Sequence, residues 1–564
     1  MDIKDIPERV RLETDVLVIG GGMAGCMAAL SARRSGLNVL VSDKANTKRS
    51  GGGGTGNDHF GGLIIPGQSN WTAEDLVHDH TDMSSGFLNQ DLVYVLASQG
   101  IDRVKYLESI GVEFYKEPDG SYHLFPQLHK KRSALYYRGR NLKPTLSKEM
   151  LKQKIKILNR TAITSLLTRG KKVVGATGLD TRTGQFKIIN ARVVILTTGT
   201  AFRLYPNNTG YLMNTYFPPS TTGDGLAIAY RAGAALTNME GTNAIRGPKG
   251  MERAGSGTYW PAKSVDAYRR PLEYNLPGES YYRWPGKTAV STKKQFRSGK
   301  VCLPLFRDTV CLTEDQIKHI EWGLAEEGGC WLLLEYMKQS GKDFRYDMIE
   351  DDIYEKRLSG GNGLKVNKYC QASIDGLYGA GDVMAGLPWG SGAGALTVGW
   401  YAGEQAAEYA KKNSGEMLPP DQIEKEEFRV YGPLKEDEGV SWRDVNLAIN
   451  LFMNSYMGDL RSEAGLKIGL MRMAELKKEA TFKADNFHEL VRVLEVNNLL
   501  LVAEIMMTAA LNRKCSSSYH MHYRVDFPQL DPPEWQKWIV VEREGEKCKI
   551  SMEEIEYPYG TSQN

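Results

Sequence analysis

The sequence predicts an α/β protein with a discontinuous main domain, an inserted α+β domain and a C-terminal helical domain. Three observations lead to this prediction. A glycine-rich run at residues 20–25 separates an apolar run typical of a buried strand from a run typical of a helix. Glycine-rich segments of the same style return near residue 374, after a stretch richer in Pro, Trp, Tyr and charged residues. Residues 442–514 then carry Leu, Met and Ala at helical spacing.

The first glycine-rich run is typical of a dinucleotide-binding turn of the Rossmann type. Gly20 permits a tight turn, Gly22 lets the backbone approach a pyrophosphate, and Gly25 lets helix and strand pack closely. A helix that begins there directs unpaired amide groups and the positive end of its dipole at the phosphates. A second predicted strand ends at Asp43, 23 residues after Gly20, where a carboxylate meets a ribose hydroxyl. The spacing therefore predicts a bound dinucleotide.

The predicted domain boundaries follow changes in composition. Residues 1–240 and 362–430 form one Rossmann-like nucleotide-binding domain, and a capping domain at 241–361 interrupts it. Residues 431–519 form the helical domain, and residues 520–564 form a Pro-rich tail with short strands. A substrate is expected to bind between the cap and the nucleotide-binding domain.

The composition is that of an ordinary soluble globular protein. The chain has 564 residues, of which 41% are hydrophobic and 25% are charged. A net charge of +3 is too small to favour binding to nucleic acid or to an anionic membrane. The first eleven residues lack the apolar core of a signal peptide, and the longest apolar stretch, residues 499–511, is interrupted by Glu504. We therefore expect a cytoplasmic protein without a membrane span.

The cysteines predict a chain without a metal centre of its own. The seven cysteines are Cys26, Cys302, Cys311, Cys330, Cys370, Cys515 and Cys548. No two of them form a C-x-x-C motif, so the spacing offers neither an iron–sulfur nor a zinc site. Their scatter is typical of reduced thiols in the cytoplasm.

Five ordered motifs resemble those of the fumarate reductase/succinate dehydrogenase flavoprotein family. They are the N-terminal glycine-rich run, residues 221–225 with 231–236, Gly381-Asp382, residues 394–397, and a C-terminal group that includes Arg513, His520 and Arg524. The resemblance covers nearly the whole chain. It implies FAD as the cofactor, a Rossmann-like FAD-binding domain and an FAD-dependent oxidoreductase.

Three stretches look most like one branch of that family, the flavoprotein (alpha) subunit of adenylylsulfate reductase. They are residues 43–51, 138–144 and 262–268. The chain is shorter than those subunits usually are, and a histidine that supports substrate in that branch is not evident here.

The resemblance assigns FAD contacts to individual positions of this chain. It implies Gly20, Gly22, Ala24 and Gly25 at the pyrophosphate, Asp43 and Lys44 at the adenosine ribose, Ser50, Gly51 and Gly52 near the flavin ring, Thr161 or Ala162 at the adenine, Gly199 under the pyrophosphate, Asp224 and the Gly381-Asp382 pair at the ring edge or ribityl chain, and Ala395 and Leu396, at a helix start, near the pyrimidine edge.

Departures from the family pattern narrow the chemistry. Gly51 stands where many members attach FAD through a histidine, so non-covalent FAD is expected. Met239-Glu240 leads to Ile245-Arg246 rather than to a His-Pro-Thr sequence, and Trp389 stands where a substrate arginine is expected. Because those cationic groups hold a dicarboxylate, fumarate or succinate is a poor candidate for the substrate.

Three residues are candidates for catalysis, each with a structural alternative. Arg246 aligns with an active-site arginine of the adenylylsulfate reductase branch and could bind an anion, or it could form an interdomain salt bridge. His59 follows the flavin-side glycines and could act as an acid or base, or it could hydrogen-bond to a loop backbone. Trp389 could form a wall of the flavin pocket or simply pack.

The resulting hypothesis is a flavoprotein subunit that passes hydride or electrons between a small, anionic substrate and a ferredoxin-like iron–sulfur subunit. This partner is implied by the resemblance and by the lack of iron–sulfur ligands in the cysteine spacing. The protein is therefore expected to be part of a hetero-oligomer. Two alternatives stay open: the flavoprotein (alpha) subunit of an adenylylsulfate reductase, and a non-catalytic FAD electron-transfer subunit of a larger complex.

Overall fold

A computed structural model of the chain describes residues 6–126, 132–207, 209–251, 262–272, 298–328, 330–358, 360–388, 390–545 and 547–561. All statements about the fold refer to these residues.

The strands are numbered in chain order. They are β1 (Val10–Ile19), β2 (Val39–Asp43), β3 (His59–Phe60), β4 (Leu124–Pro126), β5 (Arg132–Tyr136), β6 (Lys156–Asn159), β7 (Thr161–Arg169), β8 (Lys172–Asp180), β9 (Phe186–Leu196), β10 (Leu236–Thr237), β11 (Thr242–Pro248), β12 (Lys263–Val265), β13 (Leu305–Asp308), β14 (Ile349–Leu358), β15 (Gly363–Leu364), β16 (Leu377–Gly379), β17 (Leu460–Arg461), β18 (Tyr523–Arg524), β19 (Lys537–Glu544) and β20 (Lys547–Glu554).

The α-helices of the described residues are numbered in the same way. They are α1 (Met23–Arg34), α2 (Ala73–Met83), α3 (Gln90–Ser109), α4 (Leu142–Lys152), α5 (Asp224–Arg231), α6 (Glu314–Glu326), α7 (Trp331–Ser340), α8 (Ser391–Lys412), α9 (Pro420–Tyr431), α10 (Trp442–Tyr456), α11 (Glu463–Glu479) and α12 (Phe487–Asn512).

The main sheet has seven strands in the order β6-β2-β1-β9-β8-β7, and β16 also pairs with β9. Strand β1 is parallel to both β2 and β9, and Val18 lies opposite Val41 on one side and Ile195 on the other. Alternate residues of β1 enter different cores: Val16 and Val18 pack with α1 and α8, and their neighbours face the C-terminal helices. Because both faces of the strand are buried at its end, the sequence there is an unbroken apolar run, Val16–Ile19.

Helix α1 packs closely against α8, and this contact joins the two predicted halves of the nucleotide-binding domain. A Cβ atom on Gly399 would lie 2.6 Å from the carbonyl oxygen of Ala24. One turn later, a Cβ atom on Gly403 would lie 2.3 Å from the carbonyl oxygen of Ala28. The small residues of α8 therefore let the two helix backbones approach one another.

The inserted segment forms its own antiparallel sheet, in the order β11-β14-β13-β12. Helices α6 and α7 belong to the same segment and share a small apolar core with Ile349. A separate three-stranded sheet, β3-β5-β4, lies in the N-terminal part of the chain. Both the inserted segment and this small sheet contribute residues to the site described below.

The C-terminal strands pair with β10, a short strand about 300 residues earlier in the chain. Strands β19 and β20 form a hairpin, and β19 also pairs with β10 in the sheet β15-β10-β19-β20. Short β10 thus gains two partners that are distant in sequence, which the expectation of a separate tail did not foresee. Within the described part of the chain, no helix has both the length and the apolar character needed to cross a bilayer.

Candidate cofactor and active site

The turn between β1 and α1 forms a cradle of backbone amides. Gly20 has φ +101°, a left-handed conformation that favours glycine, and Gly22 is the N-cap of α1 without a side-chain capping bond. A Cβ atom on Gly25 would lie 1.8 Å from the carbonyl oxygen of Gly20. The first amides of α1 are therefore left to a ligand, and Gly25 provides the close helix–strand contact.

The Asp43 carboxylate fixes this turn. Its Oδ2 accepts hydrogen bonds of 2.7 Å from the Gly21 amide and from Ser50 Oγ. Its Oδ1 accepts a 2.7 Å bond from the Ala45 amide. A carboxylate has about four acceptor positions, so one remains for a ribose hydroxyl.

A buried lysine lies directly behind the cradle. Lys143 of α4 is 1% exposed and donates a hydrogen bond from Nζ to the carbonyl oxygen of Gly21. The same Nζ lies 3.1 Å from Cys26 Sγ. The ammonium therefore adds a positive charge behind the amides that open α1.

A cavity of about 340 Å³ runs from the cradle to the inserted segment. Nearly all predicted cofactor positions line it: Gly20, Gly22, Ala24, Asp43, Lys44, Ser50, Gly51, Gly52, Ala162, Gly199, Asp224, Gly381, Asp382 and Ala395. Thr161 and His59 line it as well. The two predicted positions outside the lining are Gly25 and Leu396.

Helix α8 begins earlier than the sequence suggested. Its first residue is Ser391, four residues before Ala395, and its N-cap Gly390 makes no side-chain capping bond. Ser391 has φ +44° and lines the cavity together with Gly392. Leu396, expected at the helix start, is buried in the core between α1 and α8. The amides of the first turn are thus supplied by the residues around Ser391.

Buried charges border the cavity near Thr161 and Ala162. Lys44 Nζ lies 2.6 Å from Asp224 Oδ2 and 2.9 Å from Glu495 Oε1. Glu495 Oε2 in turn accepts bonds from Arg203 (2.9 Å) and Arg492 (2.7 Å). We call Lys44, Arg203, Asp224, Arg492 and Glu495 the Lys44 cluster. The ion pair between Lys44 and Asp224 brings these two residues to the same part of the cavity. The family resemblance, in contrast, implied contacts with different parts of FAD.

The charges of the Lys44 cluster stabilise one another. Burial by itself raises the pKa of the Glu495 carboxyl, but Lys44 and Arg203 outweigh burial and bring that pKa to about 2. Burial likewise opposes the charge of Lys44, yet Asp224 and Glu495 raise the pKa of its ammonium. Lys44 and Glu495 therefore both stay charged at neutral pH.

At the other end of the cavity, His59 and Asp58 form an ion pair. His59 Nδ1 lies 2.5 Å from Asp58 Oδ1, and Asp58 is buried. Burial lowers the pKa of His59, but Asp58 outweighs burial and raises the pKa above its usual 6.5. His319 of α6 lies close enough to Asp58 and His59 to interact with both. We call these three residues the proton site.

His319 has the opposite protonation behaviour. Burial lowers the pKa of His319 to about 4, and the positive charge of His59 adds to that effect. Its ring packs on Phe125 and Tyr136, with centroid distances of 5.1 Å and 5.3 Å. The inserted segment thus brings an imidazole with a lowered pKa beside one with a raised pKa.

The structure describes the backbone of one of the other two catalytic candidates and does not describe the second. Arg246 lies on β11, next to Ile353 of β14 in register, and its side chain is outside the described residues. Trp389 is also outside the described residues. Among the described residues, no group of three or more His, Cys, Asp or Glu side chains is arranged to hold a metal ion.

Sequence reasoning missed Lys143, His319 and Glu495. Lys143 lies in the stretch 138–144 that carried the resemblance, so a signal existed for it. His319 and Glu495 sit in helical runs whose pattern is that of ordinary amphipathic or buried helices. Only the packing of those helices brings them to the site.

Two family models match the chain. An FAD binding domain model matches residues 15–259, and a fumarate reductase flavoprotein C-terminal model matches residues 447–561. The chain is thus similar to fumarate reductase flavoproteins in both its FAD-binding and its C-terminal segments. FAD is accordingly its cofactor, and the protein is an FAD-dependent oxidoreductase.

Archaeal relatives extend the likeness over the full chain. An uncharacterized FAD-dependent oxidoreductase of Methanocaldococcus jannaschii is 26% identical, over 97% of this chain and 98% of that protein. One of the subunits of the fumarate reductase (CoM/CoB) of Methanothermobacter marburgensis is 25% identical, over 95% of this chain and 98% of that relative.

A solved structure shares the fold. Adenylylsulfate reductase from Archaeoglobus fulgidus superimposes with a TM-score of 0.88 at 22% identity, over 99% of this chain and 98% of that chain. The likeness confirms the predicted α/β fold with its inserted segment and C-terminal helices.

The lining of the cavity fits FAD. Two helix N-termini without side-chain caps supply amides for a diphosphate and for an electron-rich ring edge. Asp43 keeps an acceptor position for a ribose hydroxyl, and the glycine segment 51–53 leaves room for a flat ring. The likeness to FAD-binding proteins and the hydrogen-bonding groups of the cavity therefore both favour FAD.

Proposed function

We propose that this protein passes hydride or electrons between a small, anionic substrate and an iron–sulfur partner, with FAD bound non-covalently in the cavity. The observation that carries the proposal is the proton site: His59, whose pKa is raised by Asp58, lines the cavity at its flavin end. An imidazolium attracts an anion and also supplies a proton, whereas a dicarboxylate site would need further cations.

The chain's own residues hold the cofactor in this proposal. The cradle amides and Gly199 hold the diphosphate, Asp43 the ribose, and Ser50, Gly51 and Gly52 the ring side. When bound, FAD supplies an acceptor or donor of two electrons. Gly51 has no side chain that could form a covalent bond to it.

His59 is the proposed acid or base. Its Nδ1 is engaged by Asp58, so the proton exchanged with substrate is the one on Nε2. The same charge orients an anionic substrate toward the ring. Arg246 and Trp389 remain proposed contributors on the strength of the sequence alone.

The inserted segment is proposed to close the mouth of the cavity. A Cβ atom on Gly56 would lie 2.1 Å from the carbonyl oxygen of Glu326, and one on Gly328 would lie 1.8 Å from Thr55 Oγ1. Glu327, between them, lines the cavity. Such close contact keeps water from the reacting centre.

The domain boundaries at 240/241, 361/362, 430/431 and 519/520 stay a proposal as well.

The partner and the compartment complete the proposal. Relatives are named as subunits of larger enzymes, and the fumarate reductase (CoM/CoB) of Methanothermobacter marburgensis is one such enzyme. The spacing of the cysteines offers no cluster site, so electrons are proposed to leave through a ferredoxin-like iron–sulfur subunit. All seven cysteines are free thiols, which fits a reducing compartment such as the cytoplasm.

The first test is the flavin spectrum of protein purified from its native host under anaerobic conditions. Acid precipitation should release yellow FAD into the supernatant, and colour retained in the pellet would contradict the non-covalent site. Iron should co-purify in a second polypeptide, and an iron-free preparation would contradict the partner.

The second test is an anaerobic screen of small oxyanions and carboxylates for bleaching or re-oxidation of the flavin. A responding anion other than fumarate or succinate is the expected result. A sulfite adduct with AMP-dependent turnover would identify adenylylsulfate reductase instead. Rapid reduction by the partner without turnover of any anion would identify an electron-transfer subunit.

A further inference from the structure

Helix α12, from the C-terminal part of the chain, contacts residues that line the FAD cavity. It is 26 residues long, and most of it is buried in the core behind the main sheet. Two of its polar residues, Glu495 and Asn498, lie one turn apart and point at the same cluster of charges. A charged side chain buried to this degree requires partners, and one partner of Glu495, Lys44, lines the cavity.

Glu495 contacts two segments of that wall at once. One carboxylate oxygen lies 2.9 Å from Lys44 Nζ, directly after β2, and the other accepts a 2.9 Å bond from Arg203, shortly after β9. Lys44 itself lines the cavity, and so does Phe202, the neighbour of Arg203. The side chains of Glu495 and Arg203 are 2% and 0% exposed, so water does not replace either contact.

Asn498 makes the third connection. Its Nδ2 donates a 2.8 Å bond to Asp224 Oδ1, and its Oδ1 accepts a 2.9 Å bond from Arg231. Asp224 is the first residue of α5 and also lines the cavity. Helix α12 therefore holds the segments that follow β2 and β9 and the start of α5.

We propose that Glu495 is a positioning residue for FAD: it holds Lys44 and the segment of Arg203 in the arrangement that the cofactor requires, and it thereby links FAD binding to the docking of α12. The inference rests on the proposal that FAD occupies this cavity. It adds a residue from outside the nucleotide-binding segment to the determinants of cofactor affinity.

The charge balance explains why one residue has this effect. Glu495 compensates Lys44, Arg203 and Arg492, and of these Arg203 has the least access to solvent. Without the Glu495 charge, buried Arg203 keeps its bond to Asn446 Oδ1 but loses a carboxylate partner, which favours movement of its segment toward water. Phe202 moves with it, so the wall of the cavity changes shape.

The test compares Glu495→Gln with Glu504→Gln in apo-protein titrated with FAD. Glu504 lies on the same helix, but its side chain is 42% exposed and pairs only loosely with Lys477 at 3.3 Å. We expect FAD affinity to fall at least tenfold in E495Q and to stay within twofold of the wild type in E504Q. Wild-type affinity in folded E495Q overturns the inference.

Hydrogen exchange separates positioning from mere stability. Amides of residues 487–512 should exchange more slowly after FAD is added to the wild type, and this protection should be reduced in E495Q. A purely structural role would change exchange equally with and without FAD. Glu495→Asp, which keeps the charge, should recover part of the affinity.

A second variant keeps the test decisive if E495Q does not fold. Lys44→Gln breaks the same ion pair from its partly exposed end and leaves Arg203 and Arg492 paired with Glu495. Wild-type FAD affinity in K44Q overturns the inference. Failure of the wild type itself to bind FAD would instead reject the proposed function.

Discussion

The two ends of the cavity are constructed in opposite ways. The cradle at residues 20–25 consists of backbone groups from one continuous turn, and its shape depends on glycines whose Cβ atoms would collide with the backbone. The proton site consists of side chains, with Asp58 directly before β3, His59 as the first residue of β3, and His319 from a helix of the inserted segment. The cradle does not titrate, whereas the proton site depends on the charge of one imidazole.

This difference separates binding from chemistry. Backbone amides recognise a diphosphate at any physiological pH and tolerate little change in shape. A paired imidazole tolerates changes in shape better, but its function depends on its pKa. Variants of the cradle should therefore change cofactor content, and variants of the proton site should change rates and pH profiles.

The largest effect is expected from Gly25→Val. The new side chain would overlap the carbonyl oxygen of Gly20, which the backbone cannot avoid without separating α1 from β1. We expect the free energy of unfolding to fall by at least about 3 kcal/mol and FAD to be absent from the purified protein. Urea denaturation and flavin absorbance measure both effects.

Gly432→Ala is the matched control for this variant. No atom lies within 4 Å of the Cβ position at Gly432, so stability and flavin content should stay near those of the wild type. If G25V were to retain FAD at full occupancy, the cradle would not be the binding element.

The second effect is expected from His59→Gln. Loss of the acid or base should lower kcat by about 10²–10⁴-fold with the anion that responds in the screen, while FAD content stays unchanged. Stopped-flow measurement of flavin reduction or re-oxidation gives the rate. His488→Gln, at an exposed position of α12, should leave the rate as it is. Equal rates in H59Q and the wild type would exclude His59 from the chemistry.

The third effect tests how far the cradle depends on backbone alone. Lys143→Met removes the buried ammonium behind Gly21 and keeps much of the side-chain volume. Because that charge attracts a diphosphate, we expect FAD to bind about tenfold more weakly, which corresponds to about 1.4 kcal/mol. Lys148→Met on the exposed side of α4 is the control. An unchanged Kd in K143M would leave recognition to the amides alone.

The smallest effect is the pH dependence of stability at the proton site. The pKa of His59 is raised above 6.5, so its contribution to stability is complete below pH 6.5 and is lost as pH rises through the folded-state pKa. Burial raises the pKa of the Asp58 carboxyl, but His59 outweighs burial and lowers that pKa below 3.8. The contribution of Asp58 to stability is therefore complete above pH 3.8 and is lost only as pH falls through its folded-state pKa.

Urea denaturation of the wild type and of Asp58→Asn from pH 5 to pH 9 measures this effect. The difference in unfolding free energy between the two proteins should be largest near pH 5–6 and should decrease toward pH 9. A difference that grows with pH would contradict the ion pair between Asp58 and His59.

The cradle end of the site was predictable because its determinants are local. Gly20, Gly22 and Asp43 lie within one strand–helix–strand unit, and their spacing reflects the dimensions of that unit. His59 was a candidate because it follows the flavin-side glycines. In each case, a short segment places the residue without help from distant parts of the chain.

Predictions failed where packing overrides local preference. Ser391, Gly392 and Gly394 are poor helix formers, so the sequence favoured a later start for α8 than the structure has. Packing of α8 on α1 stabilises that first turn. The tail has the short strands that the sequence predicted, but the pairing of β19 with β10, about 300 residues earlier in the chain, was not foreseen.

The order of glycines, strands and helices, read along the chain, determined that this protein carries a dinucleotide-binding cradle on an α/β sheet, since turn geometry and side-chain alternation act over a few residues. Only the tertiary structure decided that Lys143, His319 and Glu495 lie behind the cavity wall, next to Gly21, His59 and Lys44. Charges interact through space, and the helices that carry these side chains approach the site only after the cores have packed.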